Sequence, residues 1–368
     1  MMIIYYVLIV ILLKLLVLCN STITLDTFNI TTTTTTTTAT SSSLKYIWDS
    51  NIPARLQWLH NDGYCGEVST IMALLKYGNY MSQYDFRVVA SKYSTLGDPM
   101  KPQQTQFYLV GENDEESSSA IKLNFIEYDH SIRSAQEYLA WCKKMVKKGY
   151  TVTITVYMNY YLFYGMTDPN AGEWDYDHIV SISKIESNYD DDLYHDDDVL
   201  TLEDHGLWAP RKTGPQYLFS YTFKDFPGTR EDANTQTDSN KIYTLPSSKT
   251  AGQFGICHTG VTDLNKELLP ITVKTNVNYE SPEIPNHSET RPPAMNITLT
   301  ITVSGLNPNT NYILYKYDDE NKVPIKDFNK NNAVKVIEFI GPENNTNTYT
   351  ITEEILSNEK AFYRAVKA

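Results

Sequence analysis

The chain has 368 residues, 41% of them hydrophobic, enough for about two domains with sizeable cores. Its 31 Lys and Arg against 44 Asp and Glu leave a net charge of -13, which excludes a nucleic-acid phosphate partner and offers no basic stripe to an anionic membrane. Abundant Tyr, 28 in all, with an ordinary apolar share excludes a chain that is disordered throughout.

Met1 to Cys19 is almost wholly apolar and broken only by Lys14. It reads as a secretory signal peptide over residues 1–20, cleaved near Cys19 to Thr22. Because a charged n-region is missing, a retained anchor is the alternative, for which the run is short of the ~20 residues a span needs. No later stretch is long and apolar enough to cross a bilayer, and Phe362 to Ala368 lacks the tail of a lipid-anchor signal. No stable membrane insertion is therefore expected after cleavage, and the expected location is extracellular or the endolysosomal lumen. Asn-X-Ser/Thr acceptors at Asn20, Asn29, Asn286, Asn296 and Asn344 fit that route. Residues 21–43 include the unbroken run Thr31 to Thr38 and end in Ser41 to Ser43, a solvated linker that cannot pack a core.

Folding is expected to begin at Leu44. After an extended lead-in, Tyr46 to Trp48, comes the segment Arg55 to Ser69, which contains Gln57, His60 and Gly63-Tyr64-Cys65-Gly66. Val68, Ile71, Met72 and Leu75 recur at helical spacing, so a helix starts at Cys65 and stops near Gly78. A thiol at a helix N-terminus sits where the backbone N–H groups and the dipole favour a thiolate. The competing reading of a Cys in a secreted chain is half of a disulfide. Removing the signal leaves Cys65, Cys142 and Cys257, an odd number that preserves one free thiol or an intermolecular bridge, with Cys142 either a core residue or a partner of Cys257.

Gly111 to Ser119 is polar and reads as a surface loop. Ser134 to Lys148 reads as a second helix, with Tyr138, Trp141, Cys142, Met145 and Val146 on one face, lysines in the last turn and a stop at Gly149. Tyr150–Tyr157 and His178–Ile185 alternate with period two, and Val199–Leu202 is a shorter run, giving three strands of an antiparallel sheet. The loop Asp190 to Asp198 is acidic, but its spacing is not that of a calcium-binding helix–loop–helix, and it reads as solvated and self-repelling. No metal and no cofactor are assigned.

Past Thr262 short β runs alternate with Asn, Pro and Gly: Leu269–Val273, Ile297–Val303, Tyr312–Tyr317, Val334–Phe339, Thr348–Ile351 and Ala361–Val366. They read as a β-sandwich over 263–368, following an α+β domain over 44–262. Gly305-Leu306-Asn307-Pro308 through Tyr312 resembles the Leu-x-Pro-x-x-x-Tyr segment of fibronectin type III-like domains, in which the Tyr hydroxyl fixes a corner.

A thiol nucleophile needs a base, a group to orient that base, and donors for the oxyanion. His178 opens a strand after the turn-like Trp174 to Asp177, at the sheet edge of a cleft. Asp204 ends the next strand and is placed to reach the far ring nitrogen of His178, with Asp175, Asp177 and Glu203 as rivals. Gln57 supplies a side-chain amide which, with the Cys65 N–H, would serve an oxyanion. His60 reads as an exposed loop residue, and His205 is expected on the opposite face by strand alternation. Trp208 reads as a cap on the core.

On Gln57, Cys65-Gly66 at a helix start, Asp177-His178-Ile179-Val180 ahead of a β run, and Asp204 after the next strand, the stretch Trp48 to Trp208 resembles the papain-like cysteine peptidase superfamily, closest to the peptidases that cleave double-glycine leaders from bacteriocins. The resemblance implies a papain-like fold, with N-terminal helices packed on an antiparallel β-sheet. It also implies Cys65 as nucleophile, His178 as general acid/base, Asp204 as orienting residue and Gln57 as oxyanion donor, acting through a thioester on a peptide or isopeptide bond of a peptide or protein substrate. Two alternatives stay open: transglutaminase-like acyl transfer, which uses the same Cys, His, Asp order, and a non-enzymatic extracellular binding or adhesion protein that keeps the fold.

Overall fold

Thr151 to Met158 alternates β-branched Thr with Val and Ile, and every residue of this strand, β4, is buried, because both faces of the sheet at this point are covered. The computed structural model describes residues 44–57, 64–92, 114–129, 131–164, 176–205, 217–234, 241–247, 252–277, 293–343 and 346–368. The expected signal segment and linker (residues 1–43), the acceptors Asn20, Asn29, Asn286 and Asn344, and His60, Trp174, Asp175 and Trp208 lie outside these residues.

The fold is α+β, dominated by antiparallel sheets. The strands preceding and following β4 are β1 (Tyr46–Asp49), β2 (Asn79–Tyr80), β3 (Leu123–Glu127), β5 (His178–Ser187), β6 (Val199–Asp204), β7 (Tyr217–Thr222), β8 (Pro227–Gly228), β9 (Tyr243–Pro246) and β10 (Gly255–Val261). Among the described residues the large sheet runs β3-β10-β4-β5-β6-β7, with β1 on the outer half of β5 and β9 joined to β4 and, in parallel, to β8. The three expected strands are thus the middle of a wider sheet. The strand carrying His178 lies between β4 and β6 rather than at a sheet edge.

The helices are α1 (Cys65–Lys76), α2 (Gln83–Ser91), α3 (Asp114–Ala120), α4 (Ala135–Lys147), α5 (Tyr160–Tyr164) and α6 (Arg230–Ala233). α4 starts at Ser134, whose side chain accepts from the Glu137 N–H, and ends with Lys144 and Lys147 in its last turn, as capping and the helix dipole favour. The segment expected as a surface loop from Gly111 to Ser119 instead contributes α3. Ser117 and Ser118 are buried there, and Ser118 Oγ lies 3.3 Å from His258 Nε2 of β10. Small hydroxyl residues let this short helix pack closely, a use of polar residues that composition alone does not reveal.

Two further sheets follow: β11 (Ile271–Thr275), β12 (Asn296–Ser304) and β15 (Thr348–Leu356) form one, and β14 (Lys335–Ile340), β13 (Asn311–Tyr317), β16 (Ala361–Lys367) and β2 form the other. β12 buries Ile297, Leu299, Ile301 and Val303 and turns its Thr residues outward. The Tyr312 hydroxyl accepts the Asn307 N–H at 2.8 Å. Through β2, which follows α1 directly, the chain next to this helix becomes an edge of the C-terminal sheet. One core joins Ile71, Leu74 and Leu75 of α1 to Val273, Ile301, Leu314 and Phe362, while α4 closes a second core over β4, β5 and β6.

The α1 helix is therefore not an amphipathic surface helix. Of its residues only the two ends, Cys65 and Lys76, keep appreciable exposure. Its polar residues are accommodated locally, with Ser69 Oγ donating to the Cys65 carbonyl at 2.8 Å and Thr70 Oγ1 to Gly66 at 3.1 Å. Gly78 ends the turn with φ +79, and a Cβ there would stand 2.8 Å from Ile271 Cβ, so both conformation and the approach of β11 require glycine.

The acidic loop after β5 is organised by a cation of the chain itself. Lys143 Nζ, fully buried on α4, lies 2.9 Å from Asp198 Oδ2, 3.1 Å from Ser187 Oγ and donates to the Leu193 carbonyl at 3.1 Å. Asp191 adds a contact from the exposed side.

Candidate active site

The antiparallel pairing of β5 with β6 sets the start of one beside the end of the other. Ser181 pairs with Glu203, and a bulge lies between Ile182 and Lys184. The Ser50 side chain fixes that bulge, bonding the Ile182 and Ser183 carbonyls at 2.8 and 2.7 Å. Continuing the pairing places Asp204 on the same face as His178, two positions along, and Glu203 on the other face. His178 Nε2 lies 3.1 Å from Asp204 Oδ1, both groups buried. The Cys65 side chain acts on the His178 ring, and with Nε2 engaged by Asp204 the nitrogen left for the thiol is Nδ1.

Cys65 is the first residue of α1, following Tyr64, whose carbonyl accepts the Val68 N–H at 2.9 Å. Its N–H thus belongs to the first-turn donors that a helix does not satisfy internally. The turn below is held by a buried ion pair: Arg87 Nε of α2 lies 2.6 Å from Glu67 Oε1, and the same guanidinium lies 3.5 Å from the centroid of the Tyr64 ring. The residues around Cys65 in the chain, Tyr64 and Glu67, are thus both held by Arg87, through a cation–π contact and an ion pair.

Burial by itself would lower the His178 pKa, but the Asp204 hydrogen bond and charge, together with the Cys65 side chain, outweigh it and raise it to about 9. Burial tends to raise the Asp204 carboxyl, and the His178 bond and charge together with the Tyr243 hydroxyl overcome this and hold it below the usual carboxylate value. Both shifts favour an imidazolium facing a carboxylate.

The rival carboxylate Asp177 is committed elsewhere. Its Oδ2 accepts the Met158 N–H at 2.8 Å and pairs with Arg230, whose guanidinium lies 4.0 Å from the Tyr157 ring centroid. This arrangement anchors the chain as it enters β5 and leaves His178 to Asp204.

Two residues that the sequence does not place at the site lie beside it. Tyr243, at the start of β9, donates from its hydroxyl to Asp204 Oδ1 at 2.7 Å, and its ring centroid is 5.6 Å from that of His178. His205 is buried rather than turned to the opposite face: β6 ends at Asp204, so alternation stops there, and the His205 ring lies 6.0 Å from that of His178. No local pattern marks Tyr243, which comes from a distant strand; for His205, its place directly after a strand end was the available signal. Gln57 is buried, and its N–H donates to the His205 carbonyl at 3.0 Å, which ties the expected oxyanion donor to the residue next to Asp204.

Cys65, Cys142 and Cys257 are all free thiols. Cys142 and Cys257 are buried in the core beneath α4; burial pushes the Cys142 thiol up and raises Cys257 to about 12, so both are poor nucleophiles. Cys65 alone of the three is partly exposed. Asn296 is exposed at the start of β12. Among the described residues no group of three or more His, Cys, Asp or Glu is arranged to hold a metal ion, and no helix is long and apolar enough to cross a membrane. No protein-family model matches the chain, and no curated protein matches it in sequence.

Proposed function

We propose that the protein is a secreted cysteine-dependent hydrolase of papain-like fold that cleaves peptide or isopeptide bonds. The observation that carries this reading is the His178 ring, hydrogen-bonded to Asp204 and acted on by Cys65, the partly exposed N-terminal residue of an otherwise buried helix. A buried helix with a reactive group at its tip, packed against an antiparallel sheet that supplies base and orienting carboxylate, supports the fold assignment.

In the proposed reaction the Cys65 thiolate attacks the substrate carbonyl carbon, and the tetrahedral oxyanion is received by the Cys65 N–H and the Gln57 side-chain amide. His178 gives its proton to the departing amine, the C–N bond breaks, and a thioester remains on Cys65. Neutral His178 then takes a proton from water as the water oxygen attacks the thioester; collapse expels the Cys65 thiolate and releases the carboxylic acid. Asp204 is a positioning residue throughout, fixing the ring and stabilising its charge.

Turnover of a mixed peptide library by the purified protein, with Cys65→Ala as the comparison, tests the reading. Cleavage that disappears in Cys65→Ala is expected, and full activity in that variant contradicts it. Adding a primary amine separates hydrolysis from transglutaminase-like transfer, since transfer yields the amide adduct at the expense of the free acid.

A further inference from the structure

His205 makes no contact that the proposed reaction requires, yet it touches each part of the machinery. It follows Asp204 in the chain. Its carbonyl accepts the Gln57 N–H at 3.0 Å. Its Nε2 lies 3.4 Å from Ser69 Oγ, one helical turn below Cys65 on α1.

The direction of that last contact follows from Ser69. The Ser69 hydroxyl donates its single proton to the Cys65 carbonyl at 2.8 Å, so toward His205 its oxygen is an acceptor. The proton between them must then belong to His205 Nε2. The other ring nitrogen, Nδ1, is buried and has no hydrogen-bond partner among the described residues, which suits a bare nitrogen far better than an N–H. A second proton on this ring would be buried without an acceptor, with the His178 ring centroid 6.0 Å away. The charged groups that act on the ring are His178, which opposes protonation, and Asp204, which favours it; burial is the larger influence, and the balance lowers the pKa to about 3.

On this geometry, and resting on the proposed thiol chemistry, we infer that His205 is a positioning residue, a neutral ring that donates from Nε2 to Ser69 and so fixes the first turn of α1, and with it Cys65, against the strand end that carries Asp204. Two neighbouring histidines thereby take opposite roles. His178 carries the proton, and His205 holds the frame without competing for it.

A long-range 1H–15N correlation spectrum of the native protein, recorded from pH about 4 to about 8, reads the tautomer directly. A single neutral ring for His205, protonated on Nε2 and unchanged across that range, is expected; titration near the ordinary histidine value, or a proton on Nδ1, overturns the inference. Two variants test the role. His205→Phe keeps an aromatic ring but removes the donor, and the rate of Cys65 alkylation by iodoacetamide should fall about fivefold to tenfold, the size of one lost hydrogen bond. His205→Gln restores an amide N–H at a similar reach and should recover most of that loss. Equal rates for His205→Phe and the native protein overturn the positioning role. If native Cys65 reacts no faster than in the unfolded chain, the proposed hydrolase fails and the positioning role of His205 fails with it, while the spectrum still decides its tautomer.

Discussion

The Tyr243 hydroxyl and the His178 ring meet on one oxygen of Asp204. Tyr243 Oη stands 2.7 Å and His178 Nε2 3.1 Å from Oδ1, so β9 and β5 grip the same carboxylate from two directions. Tyr243→Phe removes one grip without changing the ring. The variant should lose about 1 kcal/mol of stability and a few-fold to about tenfold in turnover, read by chemical denaturation and by initial rates. Unchanged values in both would show that Tyr243 only fills space.

The ionisation of His178 sets a pH dependence whose sign is fixed. Its folded pKa, about 9, lies above the ordinary 6.5, so its contribution to stability is fully present below about 6.5 and is lost as pH rises through about 9. Asp204, held below its ordinary 3.8, contributes above that value and loses its contribution as pH falls through the lowered one. Denaturation midpoints across pH should show both losses. In Asp204→Asn the alkaline loss should shrink, because the largest interaction holding the proton on His178 is gone.

Glu67, two residues after Cys65, and Arg87 form a buried ion pair at 2.6 Å, with both side chains almost wholly inaccessible. Breaking one side leaves the other charge buried. Glu67→Gln should therefore destabilise the fold by about 3–5 kcal/mol, and Arg87→Met by a similar amount, while the double variant should cost less than the sum of the two. Urea titration of the three variants completes the cycle.

Lys143 places the corresponding demand on the acidic loop. Its ammonium and the Asp198 carboxylate are both fully buried, 2.9 Å apart. Lys143→Met should destabilise by about 3–5 kcal/mol and expose the 190–198 loop to limited proteolysis. Added calcium should not restore it, since the loop is organised around a fixed ammonium and not around a vacant carboxylate cage. Rescue by calcium would contradict that description.

Local pattern carried much of this structure. The starts of α1 at Cys65 and α4 at Ala135, the strands bearing His178 and Asp204, and the runs of the C-terminal sheets are all visible as periodicity with a stop residue, because each buries a face defined by near neighbours. Long-range partnerships were not visible in this way. β10, with Gly255 and Gly260 at its ends and His258 within it, carries no clean alternation yet lies between β3 and β4. The burial of α1 on all sides depends on sheets formed by residues two hundred positions later, and the Asp177–Arg230 and Asp204–Tyr243 partnerships each join a strand to an element far along the chain. The rivals Asp177 and Glu203 could be separated from Asp204 only by the bulge at Ser183 and by Arg230, neither of which leaves a sequence signature.

Site-mapped thiol reactivity tests most directly whether His178 activates the Cys65 thiol. The native protein is exposed to limiting iodoacetamide near neutral pH, the modified residue is identified by peptide mass mapping, and the rate is compared with that of His178→Ala. Modification at Cys65 is expected, with Cys142 and Cys257 spared, at a rate that falls at least about tenfold in His178→Ala. Equal Cys65 rates in the two proteins would contradict it.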